Sequence, residues 1–156
     1  MTASKPQVVY DCNIFVQGLI NINGPAARCV EKAKDGQVLL FVSPYVLAEI
    51  REIHLKTPLK YRITSLQTQE LAGTIIAFAT LVTDVPDVYH HPYDPDDSHY
   101  VNLAIKADAR LIVSRDRHLL MLADYARKEG QDFHTRFPNI RVLDPVQLLW
   151  ELDQQP

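Results

Sequence analysis

The chain has 156 residues, enough for one ordinary domain with a real apolar core. Its apolar share is that of a soluble globular protein, and 16 basic against 19 acidic residues give a formal charge of −3, which excludes a broadly basic nucleic-acid-binding surface. Two cysteines, Cys12 and Cys29, lie in apolar stretches outside any C-x-x-C pair, so a disulfide framework or structural zinc site is excluded and a reducing compartment fits.

The start, MTASKPQVV, lacks the apolar core of a signal peptide. The apolar run Thr74–Val82 is too short and too punctuated to span a bilayer. A soluble, cytoplasmic chain with no membrane partner is expected.

Val8–Asp11 is a short β-type run that ends on a carboxylate. Phe15 to Ile20 continues apolar until Asn21–Pro25 breaks the chain. Apolar positions 26, 27, 30 and 33 predict a helix over Ala26–Lys34, closed by Asp35-Gly36. Val38–Val42 is continuously apolar, as a strand buried on both faces would be. Ser43-Pro44 then supplies an N-cap and a first-turn proline, so a helix carries Glu49 about one turn in.

Thr57-Pro58 interrupts that helix, and another begins between Thr64 and Thr68, with apolar residues at 71, 75, 78, 79 and 82. The stretch DVPDVYHHPYDPDD (Asp84–Asp97) carries three prolines and reads as a connecting loop. Asp94–Asp97 offers N-caps for a helix with Tyr100, Val101, Ala104, Ile105 and Ala107 apolar, and places Asp97 in its first turn. Leu111–Ser114 reads as strand, Arg117–Glu129 as helix, Ile140–Leu143 as strand, and Pro145–Leu152 as a closing helix capped by Asp144. With no repeat or linker, a single domain over residues 1–156 with its core at about 7–152 is expected.

Strands alternating with helices imply βαβ units and a mainly parallel sheet, in which ligands bind at the carboxyl ends of the strands. Asp11 and Asp116 fall at such ends, and Glu49 and Asp97 lie on early turns of helices entering from the same edge. Crowded carboxylates raise one another's pKa and need a cation, and hard oxygen ligands point to Mg²⁺ or Mn²⁺. If the four converge, the site suits phosphodiester cutting. Setting aside these acids and Asp94 leaves 14 of the 19 acids against 16 bases, so a nucleic-acid grip would be local.

Four motifs in order resemble the PIN-domain family. They are VVYDCNIF (Val8–Phe15), LLFVSPYVLAEI followed by the basic, proline-containing KTPLKYR, DPDDSHYVNLA, and LIVSRDRHLL. The likeness runs from Val8 to the closing PVQLL and is strongest to the bacterial PIN-family toxins of toxin–antitoxin pairs, the VapC-like ribonucleases. It implies a three-layer α/β/α fold with a mainly parallel central sheet. It also implies an endoribonuclease in which Asp11, Glu49, Asp97 and Asp116, joined by Asp94, hold one or two Mg²⁺ or Mn²⁺ ions. RNA and a cognate small antitoxin are the implied partners, and a homodimer is compatible with it. Two departures stand out: Cys12 replaces a hydroxyl residue, and Ser98 stands where related chains often carry an acid or amide.

Other residues have plainer readings. Asn13 and Ser114 support the site, Ser114 by hydrogen bonding, while Asp96 caps or faces solvent. Arg51, Lys56, Lys60, Arg62, Arg115 and Arg117, with His118, are either phosphate contacts or solubility charge. Tyr45 and Tyr61 could stack bases, whereas Tyr100 suits the core. His90, His91 and His99 lack zinc-ligand spacing and read as loop surface.

Rival readings are weaker on their motifs. A haloacid-class phosphatase wants Asp-x-Asp, and Asn13 stands at the second position. A receiver domain wants paired acids before the strand and a distant Lys, and neither is evident. A non-catalytic PIN module that binds RNA or a partner protein is the alternative outside enzymology, and it would carry four carboxylates with no cation to offset them.

Overall fold

The computed structural model describes residues 4–56 and 62–155. The expected interruption at Thr57-Pro58, together with Lys60 and Tyr61, lies outside the described residues.

Five short strands form one sheet: β1 (Gln7–Tyr10), β2 (Leu39–Val42), β3 (Thr80–Leu81), β4 (Leu111–Val113) and β5 (Arg141–Leu143). Their order is β3-β2-β1-β4-β5 and every pairing is parallel. Val9 sits opposite both Phe41 and Ile112, so β1 is the central strand. Val8, Val9, Tyr10, Ile112 and Val113 are buried, because helices cover the sheet on both faces. That coverage explains why these strands read as unbroken apolar runs without polar alternation.

The helices are α1 (Cys12–Ile20), α2 (Pro25–Lys34), α3 (Pro44–Glu52), α4 (Ser65–Phe78), α5 (Ser98–Ala107), α6 (Arg117–Leu120), α7 (Lys128–Arg136) and α8 (Pro145–Asp153). α5 packs across β1, β2 and β4, while α1 packs on α2 and α2 on α8. Most starts follow local chemistry. Ser43 Oγ accepts the Val46 N–H at 3.1 Å with Pro44 at the first helical position, and Asp144 and Thr64 each form a reciprocal capping box. Gly36 takes a φ of 74° just past α2, a left-handed turn that glycine adopts without penalty. No helix among the described residues is long and apolar enough to cross a membrane.

Three local expectations need correction. The apolar run after Asp11 is already helix: α1 starts at Cys12 and buries Ile14, Phe15 and Val16. The stretch expected as one helix over Arg117–Glu129 is broken, with α6 passing into a 3₁₀ turn at Met121–Ala123 and α7 starting at Lys128. Gly130 permits the break, since a Cβ there would collide with the Asp124 carbonyl and lie 3.1 Å from the Met121 carbonyl. β3 was not foreseen, because its two residues are exposed at the sheet edge and carry no apolar pattern.

Candidate metal centre

The strand order reverses about β1: the chain leaves β1 towards β2 on one side and returns as β4 on the other. A crevice at the carboxyl ends of β1 and β4 follows from that reversal. Asp11 is the residue after β1, only 3% exposed, with its N–H bonded to the Val113 carbonyl at 3.0 Å. Its Oδ1 accepts the Asn13 N–H at 3.2 Å and caps α1. Ser114, the residue after β4, donates its hydroxyl to Asp11 Oδ2 at 2.8 Å and accepts the Asp116 N–H at 2.9 Å. One buried hydroxyl therefore fixes the two strand-end acids relative to each other. Burial raises the Asp11 carboxyl above its ordinary range, the Ser114 and Asn13 hydrogen bonds oppose that rise, and the Asp116 and Glu49 charges add to it.

Glu49 arrives from α3. Its Oε1 accepts the Tyr100 hydroxyl at 2.7 Å and lies 2.8 Å from His99 Nε2. The same Tyr100 oxygen accepts the Cys12 N–H at 3.1 Å. Tyr100 is fully buried, as its core reading required, but its hydroxyl also joins the start of α1 to Glu49. The His99 ring lies between Tyr45 and Tyr100, with centroids 4.3 and 3.9 Å away. Burial pushes the Cys12 thiol up to about 12, so it stays neutral beside the acids.

Asp97 ends a 3₁₀ turn (Pro95–Asp97) and leads into α5. It is buried, and its Oδ2 has no hydrogen-bond partner among the described residues. Burial, then the neighbouring Asp116, Asp94 and Asp11 charges, push its carboxyl up to about 8. Asp94 uses Oδ1 to cap the Asp96 N–H at 3.1 Å and turns Oδ2 to within 3.3 Å of His118 Nδ1. Asp96 is exposed, in keeping with its solvent reading.

His91 and His99 are not loop surface. His91 is buried, its Nδ1 accepts the Tyr93 and Asp94 N–H groups at 3.1 Å each, and its Nε2 lies 2.7 Å from the His118 carbonyl. Two backbone donors on Nδ1 leave Nε2 to carry the hydrogen, which fixes the tautomer. Ser98, the second departure from the family pattern, accepts the His91 N–H at 2.8 Å and so holds this loop.

Asp11, Glu49, Asp94, Asp97 and Asp116 thus form one electrostatic cluster, in which each of the others is felt by Asp11 or Asp97. Arg51, Lys56, Arg62, Arg115 and Arg117 are all exposed, and Lys60 lies outside the described residues. Arg117 shares a depression with His118, Tyr93 and Arg127 at the rim, whereas Arg115 faces Asp144 and Pro145 at the start of α8. Lys56 is near enough to ease the rise of the Cys12 thiol. Sequence reading gave His118 only a phosphate-contact or solubility role and took His91 for loop surface. The Asp-x-His at 116–118 was visible, but its meeting with Asp94 depends on a tertiary contact 24 residues apart.

The donor set fits a divalent cation. A buried carboxylate oxygen with no donor is costly, and in the absence of a cation Asp97 keeps a proton well into the neutral range. Asp94, Asp97 and His118 each offer a ligand atom, and the three atoms lie within 4.8 Å of one another.

A family model described as "PIN domain" matches residues 7–118, which takes in all five acids and His118. The chain belongs to the PIN-domain family. PIN domains are typically nucleases, so hydrolase chemistry is carried at the family level. This PIN chain is 25% identical over 154 residues to the uncharacterized protein MJ1680 of Methanocaldococcus jannaschii, covering 99% of this chain and 96% of that protein. Its fold is shared with a chain of VapBC2 from Rickettsia felis, solved bound to a DNA fragment from its promoter. That pair aligns with a TM-score of 0.52 at 13% identity, covering 88% of this PIN chain and 98% of the other.

Proposed function

We propose that this PIN chain is a Mg²⁺- or Mn²⁺-dependent endoribonuclease, acting as one domain and as the toxin of a toxin–antitoxin pair. The observation that carries the reading is the buried Asp97 oxygen, without a hydrogen-bond partner among the described residues and charge-coupled to Asp116, Asp94 and Asp11 at the sheet's switch point. Asp11, Glu49, Asp97 and Asp116, with Asp94, are the proposed ligands. When bound, the ion lowers the pKa of water and neutralises charge on the phosphate.

The chain's own residues do the positioning. Ser114 and the Asn13 N–H hold Asp11 in one rotamer, and the Tyr100 hydroxyl holds Glu49. Asp116 is fixed through its backbone to Ser114 and through Oδ1 to the His118 N–H. With the acids assigned to cation, phosphate contact falls to a few exposed bases, Arg117 and Lys56 foremost. Few and local bases suit a short single-stranded or loop substrate better than a duplex track. The likeness to a VapBC2 chain supports a small protein partner, and a basic segment offering Arg or Lys to the carboxylates is the chemistry it would use.

Matched RNA and DNA hairpins of the same loop sequence test the proposal. RNA should be cut within the loop only when Mg²⁺ or Mn²⁺ is present, and cutting should fall about a thousandfold in Asp11→Asn and Asp97→Asn, since metal positioning supplies several kcal/mol of transition-state stabilisation. Equal cutting of DNA would remove the RNA preference. Cutting by the double variant would expose a contaminating nuclease. RNA binding without cutting would favour a non-catalytic module.

A further inference from the structure

His118 is left unused by the four-acid description of the site. It lies in the first turn of α6, with its side chain 26% exposed, and Nδ1 is 3.3 Å from Asp94 Oδ2 and 3.8 Å from Asp116 Oδ1. Its backbone is fastened twice. The N–H donates to Asp116 Oδ1 at 2.7 Å, and the carbonyl accepts from His91 Nε2 at 2.7 Å. His91 also takes the Asp94 N–H on its other ring nitrogen. One buried imidazole therefore pins the backbone of Asp94 to the backbone of His118 and sets their side chains face to face. The third member is Asp97, 8% exposed, whose Oδ2 has no hydrogen-bond partner among the described residues.

We propose that Asp94, Asp97 and His118 form a cation position of two carboxylate oxygens and one imidazole nitrogen, sharing Asp94 and Asp97 with the proposed acidic ligands and adding His118, and that His118 Nδ1 biases it towards a first-row transition ion over Mg²⁺. The inference rests on the metal-dependent reading above and refines which ion that site selects. Mg²⁺ prefers oxygen donors in near-ideal octahedral geometry, whereas an imidazole nitrogen favours transition ions in the Irving–Williams order. Partial exposure of Asp94 and His118 leaves water to complete the coordination shell. His91 plays the outer-shell part, since it orients two ligands without touching the ion. Without a cation the Asp97 carboxyl keeps a proton and pairs with Asp116, and a shared cation would take the place of that proton and serve Asp94 and His118 as well.

Full-length protein stripped with chelator and titrated with Mn²⁺ provides the test, read by pulsed electron paramagnetic resonance for ¹⁴N coupling to the bound ion. The wild type should show coupling from one coordinated imidazole, and His118→Asn should abolish it. Calorimetry should show Mn²⁺ affinity falling about tenfold or more in that variant while Mg²⁺ affinity changes little. His118→Ala, which offers no donor, should lose Mn²⁺ affinity at least as far as His118→Asn, whose amide oxygen can keep part of it without the nitrogen signal. Bound Mn²⁺ with no nitrogen coupling in the wild type, or coupling that survives in His118→Asn, would overturn the proposal. In either case Mn²⁺ binding that is lost in Asp97→Asn would leave the acidic metal centre standing. No Mn²⁺ binding at all would overturn both readings.

Discussion

Asp11 and Glu49 on one side of the cluster, and Asp94 and Asp97 on the other, are all carboxylates at the ends of strands or the starts of helices, yet they are satisfied to different degrees. Asp11 accepts a serine hydroxyl and a backbone N–H, and Glu49 accepts a tyrosine hydroxyl beside an imidazole. Asp97, also buried, has an oxygen with no donor among the described residues and a carboxyl pushed up to about 8. The carboxylates of the first side are held by neutral donors before any ion arrives, although the His99 ring nitrogens beside Glu49 have no hydrogen bond among the described residues. The second side is left for a cation to complete. Removing a donor should therefore hurt the first side whether or not metal is present, whereas removing the Asp97 carboxyl should relieve the second side only where metal is absent and the pH is above about 8.

The largest effect that would sharpen this contrast is expected for Ser114→Ala. The hydroxyl serves Asp11 and the Asp116 N–H at once, so metal affinity and cleavage should fall by about 10- to 100-fold. The metal-free protein should also lose about 1–3 kcal/mol, because buried polar groups lose their partner. Chemical denaturation and calorimetry would measure both losses. Unchanged values would mean that Asp11 is held by other groups.

A pH effect on the metal-free chain separates the two sides further. Asp97 titrates near 8 when folded against an ordinary 3.8, so between those values the folded state binds more protons than the unfolded chain. The stability tied to this group is fully present below about 4 and is lost as pH rises to about 8. Melting in chelator should accordingly improve on acidification across that window, and Asp97→Asn should reduce the trend, leaving the part that the raised Asp11 carboxyl supplies. A wild-type slope that persists in the variant would place the titrating group elsewhere.

Much of this was legible in the sequence because it is local. Short apolar runs closed by Asp11 and Asp116 marked strand ends, and Ser43-Pro44 and Asp144-Pro145 marked helix starts through their side-chain caps. What the sequence hid is long-range. His91 reads as one of several histidines in a proline-rich loop, and only the tertiary fold makes it the pin between Asp94 and His118. Tyr100 reads as core and is core, but its hydroxyl reaches Glu49 from 51 residues away. The break before α7 depends on Gly130 meeting the Asp124 carbonyl, a contact that periodicity cannot express.

The smallest expected effect concerns the rim. Arg117→Ala should weaken RNA binding about equally across sequences and lower the salt slope by about 1, leaving metal affinity intact. Fluorescence anisotropy over a salt series would show it. A change in sequence preference instead would make Arg117 a base reader.

The measurement closest to the central claim is the melting temperature of the wild type and Asp97→Asn, each in chelator and in Mn²⁺. If the second side is completed by a cation, the wild type should gain stability with Mn²⁺ through mass action on the folded state. Asp97→Asn should gain little or nothing from Mn²⁺, and in chelator it should exceed the wild type only as pH rises past about 8, where Asp97 gives up its proton. A wild type that does not respond to Mn²⁺, or a variant that responds just as strongly, would contradict the account.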